Sequence, residues 1–116
     1  MAAKDSEGAA VLDALFAVIE ARRGADPDQS YVAKTLAGGT PAAARKFGEE
    51  ALETVIAALR RDRDEVVRES ADLLFHLLVL WADAGITPDE VYAELARRRG
   101  TSGLAEKAAR AESNDT

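Results

Sequence analysis

The stretch Leu73-Leu74-Phe75-His76-Leu77-Leu78-Val79-Leu80-Trp81 decides the fold. It lies inside a helical pattern that opens at Asp62, with Glu65 three residues later as a capping-box-like partner, and stops at Gly85. Wound on a helix, its side chains point in every direction and only His76 among them is polar. A helix that is apolar all round must be enclosed all round. The apolar run is too short to span a bilayer, so the enclosure has to come from protein.

Working outward, Val11, Leu12, Leu15, Val18 and Ile19 recur at helical spacing and predict a helix over 9–23, followed by a loop over 24–30. Ser30 caps a short helix that Gly38-Gly39 ends. Thr40-Pro41 reads as an N-cap with proline at the first helical position, and Leu52, Val55, Ile56 and Leu59 form the apolar stripe of a helix over 41–61. Thr87-Pro88-Asp89-Glu90 starts a further helix carrying Val91 and Leu95, and Arg97-Arg98-Arg99 suits the dipole at its end. A last short helix is predicted over 101–110. Residues 1–9 and 112–116 read as disordered tails around one domain over 10–111. The fold class is therefore all-α, a four- to five-helix bundle. A chain of 116 residues with four principal helices struggles to enclose its third helix alone, so an obligate homodimer is expected.

Composition narrows the chemistry. Fifteen Lys+Arg against 21 Asp+Glu give a net charge of −6, which lacks the positive field that drives nucleic-acid binding and disfavours anionic membranes. The absence of cysteine excludes disulfides, a thiol nucleophile and thiolate zinc sites. Residues 1–10 have no apolar core of the kind a secretory signal needs, so the cytoplasm is the expected compartment. A phosphate ligand would need a divalent cation to reverse the local sign of so acidic a protein.

Two helices carry acids in matching format, Glu50-x-x-Glu53 and Glu69-x-x-Asp72. Residues three apart share a helix face, and the fifteen residues between the pairs allow one helix to end and the next to return antiparallel. Four carboxylates meeting between two helices cannot all stay ionised without a cation among them. Oxygen ligands with no cysteine point to Mg²⁺ or Mn²⁺. Spacing leaves the first ligand open between Glu49 and Glu50, because Glu50 points away from the Leu52/Ile56 stripe that Glu49 and Glu53 flank.

The acid pattern resembles the ExxE…ExxD signature of the MazG-like, all-α nucleotide pyrophosphohydrolases. Ser30-Tyr31-Val32-Ala33-Lys34, Lys46-Phe47-Gly48-Glu49-Glu50-Ala51, the Asp72–Leu80 run and Gly103-Leu104-Ala105-Glu106-Lys107 narrow the resemblance to the phosphoribosyl-ATP pyrophosphohydrolase family. This implies hydrolysis of phosphoribosyl-ATP to phosphoribosyl-AMP and pyrophosphate, the second step of histidine biosynthesis. It also implies Mg²⁺ held by Glu50, Glu53, Glu69 and Asp72, and a homodimer. The cyclohydrolase domain fused to some members uses cysteine zinc ligands, which this chain lacks, so the monofunctional form is expected.

Within that reading a metal-activated water attacks a phosphorus atom, and an acid outside the metal's inner sphere, Glu49 or Glu53, takes its proton. Lys34, Arg45, Lys46 and Lys107 are expected to contact substrate phosphates, against the plainer reading of Lys46 as an i,i+4 partner of Glu50. His76 reads as a core or supporting histidine, Tyr31 as a packing residue, Trp81 as core or dimer interface. Two other functions compete: a house-cleaning nucleoside triphosphate pyrophosphatase with the same acids, and a non-enzymatic helical dimerisation module.

Overall fold

The computed structural model describes residues 8–100 and 103–114. Most of the expected N-terminal tail, and Thr101 and Ser102 of the expected last helix, lie outside those residues. Six helices follow one another, with no strand among the described residues: α1 (Ala10–Ala21), α2 (Tyr31–Ala37), α3 (Gly39–Leu59), α4 (Arg63–Ala84), α5 (Pro88–Arg98) and α6 (Gly103–Asn114). The last helix continues three residues into the expected C-terminal tail, since no glycine or proline stops it at Ala111.

The local signals explain most boundaries. The Ser30 hydroxyl accepts the Ala33 N–H at 3.1 Å, and Asp62 Oδ1 accepts the Glu65 N–H at 3.2 Å, each satisfying an orphan donor of a first turn. Glu65 does not complete the capping box, because its carboxylate pairs with Arg68 at 2.7 Å. Glu90 does so for α5, accepting the Thr87 N–H at 2.7 Å. Gly85 ends α4 in the left-handed region at φ 74°, where a side chain would be strained.

Other boundaries differ from expectation: α1 ends at Ala21, two residues short of the expected 23, and α3 is shifted at both ends. Helix α3 starts at Gly39, and Thr40 is no cap; its hydroxyl instead donates to Asp83 Oδ2 at 2.7 Å. The same helix ends at Leu59, because Arg61 turns left-handed at φ 57°. A left-handed arginine carries no glycine signal, so the sequence alone runs the helix too far.

Helices α3 and α4 form the most extensive packed pair. Contacts from Thr40 to Asp83 and from Thr54 to Glu69 fix them antiparallel, with partner numbers falling along α4 as they rise along α3. A core of Ile19, Leu78, Val79 and Ala82 joins α1 to α4, with Leu12, Leu15, Phe16, Phe75 and Trp81 packed around it. Arg23 ties α1 to the end of α4 by donating to the Ala82 carbonyl at 2.6 Å.

The structure reverses one expectation about α3. Its core-facing residues are Ala43 and Ala57, while the apolar stripe points outward: Leu52 is 60% and Leu59 79% exposed, with Val55 and Ile56 also open. The fully buried residues of α3 are small, and small side chains let neighbouring helix backbones approach closely. On α4 itself, Val67 and Leu74 are likewise exposed. Enclosure of the third long helix is therefore incomplete within one chain.

Candidate active site

The antiparallel register brings the acid-bearing turns of α3 and α4 level. Thr54 sits at their junction, its hydroxyl 2.8 Å from the Glu50 carbonyl and 3.2 Å from the Glu69 carbonyl. One carboxylate oxygen each from Glu50, Glu69 and Asp72 lies within 4.8 Å of the others. Glu50 is thus the residue of the Glu49/Glu50 pair that faces α4, and its side chain retains 19% exposure. The apolar stripe misdirects the choice because that stripe does not mark the inner face.

Three acids, not four, converge at this spacing. Glu53 stands beside them, lining a cleft of about 310 Å³ together with Ile56, Ala57, Arg60, Asp62, Glu65 and Glu69. Glu49 lies apart, on the exposed side of α3, where it pairs at 3.7 Å with both Arg45 and Lys46. Lys46 accordingly pairs with Glu49, three residues on, and not with Glu50.

Three of the four expected phosphate-contacting cations do gather. Lys34, Arg45 and Lys46 line one pocket of about 260 Å³ with Tyr31, Thr35 and Ala42. Lys107, exposed on α6, lines neither this pocket nor the acidic cleft. His76 joins the two regions. Its buried ring meets Tyr31 edge-on at 5.8 Å and Phe75 at 5.2 Å, and its Nε2 stands 4.0 Å from Glu50 Oε1. Tyr31 is half exposed, with Lys46 Nζ 5.8 Å from its ring centre, so it forms a wall of the pocket instead of filling the core. Trp81 packs against the core as expected. Arg97 and Arg98 pair with Glu94 near the end of α5.

The electrostatics follow from crowding. Burial raises the Glu50 carboxyl above its ordinary pKa, and the charges of Glu53 and Asp72 add to this. Glu69 is pushed to about 7, first by desolvation and then by the neighbouring carboxyls of Glu65, Glu53 and Glu50. Burial holds His76 below its usual value, partly countered by the Asp72 charge, so its ring is neutral at pH 7 and does not supply the missing positive charge. Glu50 Oε2, Glu69 Oε2 and His76 Nδ1 are buried without a hydrogen-bond partner. Buried carboxylate oxygens with neither donor nor counter-charge suit a hard divalent cation. Neither Thr54 nor the Tyr31–His76 contact was visible in the sequence; a threonine four residues after Glu50 was the only available hint.

The raised Glu69 pKa makes stability depend on pH. Between the ordinary carboxyl value and about 7, the folded protein holds a proton that the unfolded chain has released, so raising the pH through that window removes stability. The depressed His76 acts in the opposite direction but is common to wild type and a Glu69 variant. In EDTA, the melting temperature of Glu69→Gln should therefore gain on wild type as pH rises from about 5 to about 7.5. Thermal melts across that range check it, and a gap independent of pH would contradict it.

Comparison with known proteins gives the family. The phosphoribosyl-ATP pyrophosphohydrolase family profile matches residues 12–99, a span holding every acid and cation above except Lys107. The phosphoribosyl-ATP pyrophosphatase of Paramagnetospirillum magneticum is 59% identical over 109 residues, covering 94% of this chain and 97% of the relative. Those of Parvibaculum lavamentivorans and Rhizorhabdus wittichii are 62% and 63% identical, covering 90% and 85% of this chain and 95% and 93% of the relatives. With a family match across α1 to α5 and relatives this similar over nearly their whole length, the chain belongs to the phosphoribosyl-ATP pyrophosphohydrolase family.

Proposed function

We infer that this chain hydrolyses phosphoribosyl-ATP to phosphoribosyl-AMP and pyrophosphate, the second step of histidine biosynthesis, as a cytoplasmic enzyme. The observation that carries the reading is the juxtaposition, on a chain so similar to phosphoribosyl-ATP pyrophosphatases, of converging acids with a pocket of three cations. The same similarity favours this substrate over ordinary nucleoside triphosphates, and enzymatic action over a purely structural module.

Glu50, Glu69 and Asp72 would hold Mg²⁺, or Mn²⁺, with Glu53 at the edge of the group. A cation bound there screens phosphate charge and acidifies a coordinated water. The remaining work falls to the chain. Glu53, on the cleft and outside the trio, takes the proton of the attacking water through its carboxylate. The α–β phosphoanhydride bond breaks as the water oxygen adds to phosphorus, and the bridging oxygen leaves with the other fragment. Lys34, Arg45 and Lys46 offset the phosphate charge that the acids would otherwise repel. Glu49, held between Arg45 and Lys46, is the weaker choice of base; it positions those cations.

The active form is a homodimer in this reading. Its support is the exposed apolar side of the α3–α4 hairpin, where Leu52, Val55, Leu59, Val67 and Leu74 meet solvent in the single chain. A second copy is the simplest cover for so much apolar surface.

Two outcomes are expected. Asp72→Asn, nearly isosteric and on the exposed side of the trio, should keep its fold and lose at least about a hundredfold in kcat with Mg²⁺, since metal-assisted stabilisation supplies several kcal/mol. An assay of pyrophosphate release from phosphoribosyl-ATP, with ATP beside it, checks this; near-normal turnover by the variant would remove the acids from the mechanism, and a preference for ATP would change the substrate. Sedimentation at micromolar concentration should give twice the chain mass for wild type and the single mass for the Leu52→Glu/Leu59→Glu double variant. A monomeric wild type would contradict the dimer.

A further inference from the structure

The acids sit between two unlike clefts, and their order along α3 gives the site a direction. Toward the start of the helix, Ala42, Arg45 and Lys46 contribute to the cationic pocket. In the middle stand Glu50 and Glu53. Toward the end, Ile56, Ala57 and Arg60 line the second cleft. The two clefts differ in chemistry as well as position: the first offers three cations, the second an apolar floor, four carboxylates and one arginine.

The proposed substrate has two unlike ends. Its triphosphate carries the scissile bond close by, while its second phosphate lies beyond the base, on the ribose attached to the far edge of adenine. Lys46 is one helical turn, about 6 Å of rise, from Glu50. That span matches the reach from a phosphorus under attack to the end of a triphosphate, and falls well short of the distance across base and sugar. Arg60 is seven residues beyond Glu53, roughly 10 Å along the axis, on the side with room and apolar surface for a nucleoside. Charge at the first cleft supports the same direction, while in the second Arg60 is the one lining cation among the described residues, beside four carboxylates. The terminal phosphates are the most anionic part of the substrate and suit three cations, one of which, Lys34, has no ion-pair partner among the described residues.

Resting on the activity inferred above, we propose that phosphoribosyl-ATP lies along α3 with its β- and γ-phosphates in the Lys34–Arg45–Lys46 pocket and its phosphoribosyl-adenosine half over the Ile56–Arg60 cleft. The pocket is then the seat of the departing pyrophosphate, and Arg60 is the specificity residue for the second phosphate, the feature that separates this substrate from ATP. Glu49, paired with Arg45 and Lys46 from beside the pocket, competes with pyrophosphate for those two cations.

Product inhibition separates the two ends. Pyrophosphate and phosphoribosyl-AMP are each tested as inhibitors of wild type, of Lys34→Gln/Arg45→Gln and of Arg60→Gln. All three substituted residues are exposed, and a thermal melt confirms that each variant folds. The double variant should bind pyrophosphate at least tenfold more weakly and phosphoribosyl-AMP within twofold of wild type. Arg60→Gln should show the converse, with a raised KM for phosphoribosyl-ATP. Calorimetric titration of pyrophosphate with Mg²⁺ into the double variant, which needs no turnover, should show the same weakening. The crossed pattern, or both products weakened alike by both variants, or no change in either, overturns the orientation. Those results leave the activity standing, whereas a wild type unable to hydrolyse phosphoribosyl-ATP removes the activity itself.

Discussion

Like charges held together between two helices are the constraint on which the rest of the structure turns. Glu50, Glu69 and Asp72 bring carboxylate oxygens within 4.8 Å of one another, with Glu53 beside them, in a position where burial already disfavours ionisation. Left to themselves, such groups would push α3 and α4 apart. What opposes the repulsion is the tight turn at residues 60–62, the Asp62 cap, the Thr54 bridge and the Thr40–Asp83 bond at the far end. These contacts fix the register, and the register brings the acids level. The fold therefore holds an electrostatically unfavourable arrangement ready for a ligand of opposite sign.

The small residues on the inner face of α3 belong to the same design. Ala43 and Ala57 let the helices approach closely enough for acids on both to share one site. Bulky side chains there would separate the helices and the carboxylates with them. The apolar bulk of α3 is displaced to the outer face, which a single chain leaves open. The convergence of the acids and the exposure of the apolar outer face thus have one origin, the choice of which face of α3 packs inward.

That choice is also where the sequence was hardest to read. The all-α class, the Ser30 and Asp62 caps, the Gly85 stop and the Thr87 capping box were legible because each rests on a local hydrogen bond or backbone preference. The pairing of the two acid motifs was legible from spacing; the meeting of Lys34 with Arg45 and Lys46 in one pocket was not, since the sequence marks each only as a separate candidate for phosphate contact. Nor was the orientation of α3. Large apolar residues ordinarily mark the buried face, and Leu52, Val55 and Leu59 mark the opposite one in this chain. The same inversion left Glu49 and Glu50 undecided until the structure turned Glu50 inward. Arg61 illustrates a second blind spot, a left-handed helix stop made without glycine.

The central claim is that Glu50, Glu69 and Asp72 form one divalent-cation site. Titration of Mn²⁺ into wild type, Glu50→Gln and Asp72→Asn, followed by electron paramagnetic resonance of the free ion, reads that site without substrate or turnover. Wild type should remove Mn²⁺ from solution, Mg²⁺ should compete, and each variant should bind at least tenfold more weakly while remaining folded. Binding of equal strength in all three proteins would contradict the account.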